Sequence, residues 1–157
     1  MKDTLTNNKY LGNLAFILHA HLPYVRKNEK NSLEEDWFFQ AVLECYIPLI
    51  RVLEESIKLE PDNTKLTISL SPTLISLFQS SELQGKFPEW INTRIKLLNE
   101  LPEEQKKAAQ FLLKNLADQL IYWEKYSGEI LNRFQYLLDC GCLDIITCAA
   151  THGYLPI

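Results

Sequence analysis

Three short apolar segments, separated by long stretches of helical periodicity, constrain the fold of this chain more than any other feature. They lie at residues 14–18, 66–70 and 143–150, and their length and aliphatic content are typical of buried strands. A helical connection between two strands of one sheet makes a parallel pair. The order strand, helix, strand, several helices, strand therefore predicts an α/β chain with parallel strands and helical crossovers.

The burial of these strands is predicted from their residue patterns. The first is continuously apolar, as in a parallel sheet that is covered on both faces, and we expect the third to be buried as well. The second alternates between apolar and polar residues, so its pattern indicates burial less clearly.

Helices are predicted in the connections. Pro48 lies inside the first pattern and predicts a kink or a break there. Ser127 is a candidate N-cap of the last helix, and Gly141 is its candidate stop. The predicted helices are residues 34–59, 73–79, 90–99, a stretch from 103 onward, and 129–140.

The third predicted strand is followed only by residues 151–157, and no helix comes after it to cover it. Three parallel strands cannot close a barrel, and an uncovered apolar edge invites pairing with other chains. We therefore expect the chain to be cut short within a larger fold. A small three-stranded α/β domain that ends at this point is the alternative.

Composition restricts the partners of the chain. Its formal net charge of −4 argues against binding to nucleic-acid phosphates. The polar start predicts no export signal, and no stretch approaches the roughly 18 apolar residues of a membrane span. We expect a cytoplasmic protein with no membrane or nucleic-acid partner, whose four cysteines are reduced thiols.

All three histidines of the chain follow an apolar strand segment. His19 and His21 lie two residues apart, so both side chains point to the same side of an extended chain. His152 closes the third strand. Because ligands of parallel α/β proteins bind at the carboxyl ends of the strands, we expect the three histidines to share one site.

Three interpretations of His19 and His21 follow from the residues alone. They form a zinc-binding pair, or neutral imidazoles that bind sugar hydroxyls, or ordinary polar residues at a strand end. Trp37, at the predicted start of a helix, is expected at the same edge of the sheet. Its ring either stacks on the face of a sugar or is a packing residue. Gly153 suits a tight turn beside His152. Trp90 is expected to be a packing residue, as is Trp123.

No catalytic residue is expected in this chain. Glycoside chemistry usually needs two carboxylates, and Asp144 lies at the wrong end of the third strand to be one of them. Four further acidic residues predict mainly a solvated helix face, namely Glu34, Glu35, Asp36 and Glu44.

Two segments resemble signature regions of a known family. Residues 19–24 (HAHLPY) and 145–156 (IITCAATHGYLP) are similar to the first two signatures of glycoside hydrolase family 57, the second in the form typical of its α-1,4-glucan branching enzymes. Residues 34–49 and 66–72 also resemble branching enzymes, so the resemblance spans nearly the whole chain.

The resemblance implies an incomplete (β/α)7-type barrel. Residues 1–157 would form the amino-terminal part of one catalytic barrel domain, cut short after the third strand. It also implies a retaining enzyme of glycogen-type metabolism, which cuts an α-1,4 linkage and rejoins the chain through an α-1,6 linkage by way of a covalent intermediate. The implied partner is an α-glucan resembling glycogen or amylose, and neither a metal nor another cofactor is implied.

The resemblance also assigns residues to substrate binding. Of these, His19, Trp37 and His152 match positions that line the donor-sugar site. The family's glutamate nucleophile and aspartate acid/base belong to later signatures, so we expect this chain alone to be inactive. The expected substrate-binding residues are His19, His21, Tyr24, Trp37, His152 and Gly153.

Other functions stay open. The chain is alternatively a segment of a family 57 amylase or 4-α-glucanotransferase. A metal-dependent deacetylase-like or mannosidase-like barrel would use strand-tip histidines as ligands. In the hypothesis without enzyme activity, the chain is a non-catalytic remnant that binds glucan.

Overall fold

The computed structural model describes residues 14–25, 32–60 and 63–150. Within them, three parallel strands form one sheet in the order β1-β2-β3: β1 (Ile17–Ala20), β2 (Leu66–Leu70) and β3 (Leu143–Ile146). The predicted α/β class with parallel strands is confirmed. The helices are α1 (Leu33–Ala41), α2 (Ile47–Leu59), α3 (Pro72–Phe78), α4 (Ser81–Asn99), α5 (Lys106–Lys125) and α6 (Ile130–Asp139).

Burial in the sheet is the reverse of the prediction. Ile68 of β2 is 1% exposed, whereas Ile17 of β1 is 65% exposed and the isoleucines of β3 are exposed as well. β2 has a hydrogen-bonded neighbour on each side, while β1 and β3 are the two edges. The prediction that the first and third strands are buried is therefore wrong for these residues. Both strands are also shorter than predicted.

The first long helical pattern is broken where Pro48 predicts it. Residues 42–46 form a π-helical turn between α1 and α2, and Pro48 lies in the first turn of α2. Proline has no N–H to donate and its ring clashes with the preceding turn of a regular α-helix. The wider π turn separates the two helices at this point, so the predicted break is confirmed.

Helix α4 begins well before the predicted residue 90. Its N-cap is Ser80, whose hydroxyl accepts from the Leu83 N–H at 3.4 Å. Gly85 and Pro88 lie inside the helix, and both residue types have low helix propensity. The local sequence therefore did not predict the first half of α4. Contact with the hydrophobic core through Leu83 and Phe87 overrides this preference.

The ends of α6 meet one prediction and contradict another. Ser127 is not the N-cap, because it has a positive φ of 52° and Glu129 occupies the cap position. Gly141 follows the helix with a φ of 69°, and its N–H donates to the Leu138 carbonyl at 2.9 Å. The predicted glycine stop is therefore confirmed.

An aromatic cluster forms much of the core behind the sheet. Trp123 is buried and its ring lies 4.3 Å from that of Phe87, so its predicted packing role is confirmed. Gly128 has a φ of 74°, and a Cβ there would lie 2.8 Å from the Trp123 ring. Trp90 packs against Phe87 and Phe39, also in agreement with the prediction.

A polar cluster links three of the helices. Glu54 of α2 accepts from the Tyr122 hydroxyl of α5 at 2.9 Å and from the Arg133 Nε of α6 at 2.8 Å. The Arg133 guanidinium lies over the rings of Tyr126 and Tyr136. Burial, and then the hydrogen bond to Glu54, raise the pKa of Tyr122 well above its ordinary value. The helices are thus fixed to one another through the Glu54 carboxylate.

The four cysteines are free thiols. Across 14–25, 32–60 and 63–150, no helix is long and apolar enough to cross a membrane.

Candidate functional site

The carboxyl end of β1 carries a pair of stacked imidazoles. The ring centroids of His19 and His21 lie 6.2 Å apart and their planes differ by 16°. The spacing of two residues predicts that both side chains point to one side, and this is confirmed. The parallel rings form a short polar wall beside the end of β2, where His19 is in register with Ser69.

Hydroxyl groups from β2 and from the start of α3 contact these rings. His19 Nδ1 lies 2.5 Å from the Ser69 Oγ, and His21 Nδ1 lies 2.9 Å from the Ser71 Oγ. Thr73 completes the group, with its Oγ1 3.0 Å from the Ser71 Oγ. These three hydroxyl residues were not predicted from the sequence. A signal was present, however, because Ser69 and Ser71 have the same spacing as the histidines.

The turn from β2 into α3 places Ser71 beside the histidines. Its hydroxyl caps α3 by accepting from the Leu74 N–H at 3.3 Å, and its own N–H donates to the Ala20 carbonyl at 3.0 Å. Pro72 follows in the first turn of α3, where its missing N–H costs nothing. The strand therefore ends and the helix begins at the histidine pair.

Trp37 lies in α1 with its side chain 45% exposed. Ser32 caps this helix, and its hydroxyl accepts from the Glu35 N–H at 3.1 Å. The exposed indole is available to a ligand, in contrast to the packed rings of Trp90 and Trp123. Its expected stacking on a sugar stays a prediction.

Tyr24 lies on the segment that follows β1. Its exposed ring borders a cavity of about 470 Å³, which Gln79 and Ser80 at the junction of α3 and α4 also line. The structure thus places Tyr24 beside a recess of mixed character, whose lining includes serine hydroxyls, the Glu35 and Glu82 carboxylates and aliphatic side chains.

His152 and Gly153 lie outside the described residues, so the shared site of three histidines stays a prediction. Among the residues that the structure describes, no three His, Cys, Asp or Glu side chains lie close enough together to hold a metal ion.

The acidic residues of α1 correct one prediction. Glu35 is only 6% exposed and its carboxylate pairs with Lys86 at 2.8 Å. Asp36 accepts from the Trp90 indole N–H at 2.7 Å and pairs with Arg94. The predicted solvated face is therefore wrong for these two residues, because the longer α4 packs against α1 and brings cations to it.

The other two acidic residues of this group fit the prediction better: Glu44 is exposed and Glu34 is half-buried. A cleft of about 840 Å³ lies between α1 and α4, and Glu35 and Asp36 line it together with Lys86 and Arg94. These two carboxylates are engaged in ion pairs between helices.

The family model for glycosyl hydrolase family 57 matches residues 15–157. The 1,4-alpha-glucan branching enzyme of Thermococcus kodakarensis is 34% identical over 151 residues, which cover 93% of this chain and 22% of that enzyme.

The fold is similar to that of solved structures. The branching enzyme of Pyrococcus horikoshii has a TM-score of 0.83 and 36% identity, over 92% of this chain and 28% of that chain. The Thermococcus kodakarensis branching enzyme, solved in complex with glucose, has a TM-score of 0.81 and 33% identity, over 92% and 27%. An α-amylase from Thermotoga maritima has a TM-score of 0.78 and 34% identity, over 90% and 28%.

The chain therefore spans between 22% and 28% of the length of these relatives. Its three parallel strands and their helices match the amino-terminal portion of the family's (β/α) barrel, as the resemblance of the two signature segments implies. With a family model that matches nearly every residue, the chain belongs to glycosyl hydrolase family 57.

Proposed function

We propose that this chain forms part of the glucan-binding wall of a retaining 1,4-α-glucan branching enzyme. Residues 1–157 are the amino-terminal part of one barrel domain in this proposal. The observation that carries it is the stacked pair of His19 and His21 at the carboxyl end of β1, in a chain 34% identical to a branching enzyme. A relative solved in complex with glucose supports a sugar as the ligand.

The proposed roles follow from the chemistry of the side chains. Neutral imidazoles both donate and accept hydrogen bonds, so His19 and His21 bind sugar hydroxyls. The exposed indole of Trp37 stacks on an apolar sugar face, and His152 with Gly153 completes the wall. The nucleophile and the acid/base come from outside these residues. The enzyme acts in the cytoplasm on a glycogen-like or amylose-like glucan, with no cofactor.

Binding of maltoheptaose to the chain tests this proposal. We expect binding that His19→Ala weakens roughly two- to twelvefold, the value of one hydrogen bond. Trp37→Ala should weaken binding as well, and Phe111→Ala, which removes a more exposed aromatic ring from α5, should leave it unchanged. Titration calorimetry measures all four affinities. A wild-type chain that does not bind maltoheptaose would contradict the proposal.

Activity is tested separately from binding. We expect the chain alone to form no α-1,6 linkages in amylose and to release no reducing ends, because the catalytic carboxylates are absent from it. Chain-length analysis after enzymatic debranching detects new branches with high sensitivity. Clear turnover by the purified chain would overturn this part of the proposal.

Amylase-type activity of the whole enzyme is a second candidate. It is favoured by the α-amylase of Thermotoga maritima, whose TM-score of 0.78 is somewhat lower than the 0.83 and 0.81 of the branching enzymes. The products of an enzyme that contains this segment separate the two functions. New α-1,6 linkages without new reducing ends indicate branching, whereas new reducing ends without branches indicate hydrolysis.

A further inference from the structure

Two consecutive residues join the first turn of α1 to α4. The Glu35 carboxylate, whose side chain is 8% exposed, pairs with Lys86 Nζ at 2.8 Å. Asp36 Oδ1 accepts from the Trp90 indole N–H at 2.7 Å and from the Arg94 guanidinium. The three partners on α4 are spaced four residues apart, so they lie along one face of that helix. The first turn of α1 is therefore held against this face by polar contacts.

Trp37 follows these two acidic residues directly, and it is the most exposed of the three. Successive residues of an α-helix are rotated by about 100° around the helix axis. A side chain next to Asp36 therefore points away from α4 when Asp36 points toward it. Whatever fixes the rotation of the first turn of α1 also fixes the direction of the Trp37 indole.

We propose that Asp36 is a positioning residue for Trp37, which holds the first turn of α1 against α4 so that the indole keeps one direction. That this indole meets a sugar rests on the proposed function. The end of a helix has the fewest internal hydrogen bonds, and a helix of nine residues is not stable by itself. The first turn of α1 therefore depends on contacts with its neighbours, and the Asp36 carboxylate makes three of them.

The three contacts define the position of the Asp36 carboxylate. An ionised carboxylate only accepts hydrogen bonds, so all three partners must be donors. Oδ2 accepts from the Gln40 side chain of α1 at 2.6 Å, whereas Oδ1 faces α4. The donors on α4 are themselves held, because the Arg94 guanidinium lies 3.4 Å from the centroid of the Trp90 ring, which packs against Phe39.

A double-mutant cycle tests the inference, with maltoheptaose binding to the complete chain measured by titration calorimetry. We expect Asp36→Ala to weaken binding about threefold to tenfold, because only about a third to a tenth of the molecules then hold the indole correctly. In a chain that already carries Trp37→Ala, the same change should alter the affinity by less than about twofold, since no indole is left to position. An equal loss in both backgrounds would overturn the inference, and so would unchanged affinity in Asp36→Ala alone.

A loss of stability must be separated from a loss of positioning. Glu54→Ala is the matched control, since it also removes a carboxylate that accepts from two other helices. At a temperature where both variants are folded, Glu54→Ala should bind maltoheptaose as the wild-type chain does. Arg94→Met removes one partner of Asp36 and keeps the Trp90 bond, so it should weaken binding less than Asp36→Ala. If Asp36→Ala does not fold, unchanged affinity in Arg94→Met would overturn the inference.

The fluorine spectrum of the chain labelled with 5-fluorotryptophan observes the indole without a ligand, and Trp37→Phe assigns its signal. We expect one sharp Trp37 signal in the wild-type chain, shifted or broadened in Asp36→Ala and unchanged in Glu54→Ala. If no form of the chain binds maltoheptaose, the proposed function fails and this spectrum alone decides. An unchanged Trp37 signal in Asp36→Ala would then overturn the inference. A changed signal at unchanged affinity would overturn the role of Asp36 in sugar binding.

Discussion

The central strand β2 and its neighbours β1 and β3 contain similar side chains in very different surroundings. Ile68 of β2 is buried, while Ile17 of β1 and Ile145 of β3 are exposed. β2 buries three consecutive residues, whereas β1 buries only Ala20 and β3 only Leu143. The difference teaches that burial follows from the position of a strand in the sheet, and that apolar content alone does not predict it.

The largest expected effect contrasts one isoleucine from each setting. Ile68→Ala should lower the free energy of unfolding by about 2–5 kcal/mol, because it leaves a cavity in a packed core. Ile17→Ala, the same change on β1, should alter it by less than about 0.5 kcal/mol. Urea titration followed by circular dichroism measures both. Equal losses in the two variants would show that β1 is as well covered in solution as β2.

The polar cluster in the helical layer behind the sheet is expected to give the next largest effect. Glu54→Ala removes the shared acceptor of Tyr122 and Arg133 and should cost about 1.5–3 kcal/mol, the range for hydrogen bonds to charged groups. Glu55→Ala is the matched control, since Glu55 pairs with Lys58 at the surface and should contribute less than about 1 kcal/mol. Similar urea midpoints for the two variants would contradict a stabilising role of the cluster.

The buried Tyr46 hydroxyl should make the protein less stable at alkaline pH. Burial, followed by the nearby Cys45 thiol, raises the pKa of Tyr46 to about 12. The unfolded chain loses this proton near pH 10 and the folded chain does so later, so stability should fall as the pH rises from about 10 to about 12. The loss attributable to Tyr46 should be on the order of 2 kcal/mol.

Tyr46→Phe isolates this contribution, because phenylalanine has no proton to lose. The variant should lose less stability than the wild-type chain between pH 10 and pH 12. Tyr24→Phe, at an exposed ring, controls for the loss of a hydroxyl. Parallel stability curves for wild-type and Tyr46→Phe would show that burial of Tyr46 does not govern the alkaline response.

The smallest effect on stability is expected at the sheet edge, where solubility should change instead. Ile145→Lys places a charge on an exposed side chain of β3 and should alter unfolding by less than about 0.5 kcal/mol. It should also reduce self-association, because charged edge strands resist pairing with other chains. Val52→Lys adds the same charge to an exposed position on α2. Light scattering that falls equally in both variants would assign the effect to net charge.

Local signals predicted the elements whose own short stretch of sequence carries the pattern that forms them. The β2 strand, the short helix α3, the break before Pro48 and the stop at Gly141 each follow from the residues around them. The start of α4 did not, because Gly85 and Pro88 disfavour a helix that tertiary packing stabilises.

Within the candidate site, the spacing of His19 and His21 was sufficient to predict that they share a side. Their serine partners required the strand register, since each contact joins residues 50 positions apart. The pairing of Glu35 with Lys86 spans 51 positions and was missed for the same reason. Polar contacts between segments far apart in the chain produce no repeating residue pattern, so they cannot be predicted from periodicity.

The strand order β1-β2-β3 has a consequence for how the chain is made. Each strand pairs with the one synthesised just before it, so the sheet can grow in the order of translation. Residues 71–142 separate β2 from β3, and at about 5–20 residues per second a ribosome needs about 4–14 s to produce them. During that interval the outer side of β2 has no strand of this sheet to pair with, so its backbone N–H and C=O groups stay unpaired until β3 arrives.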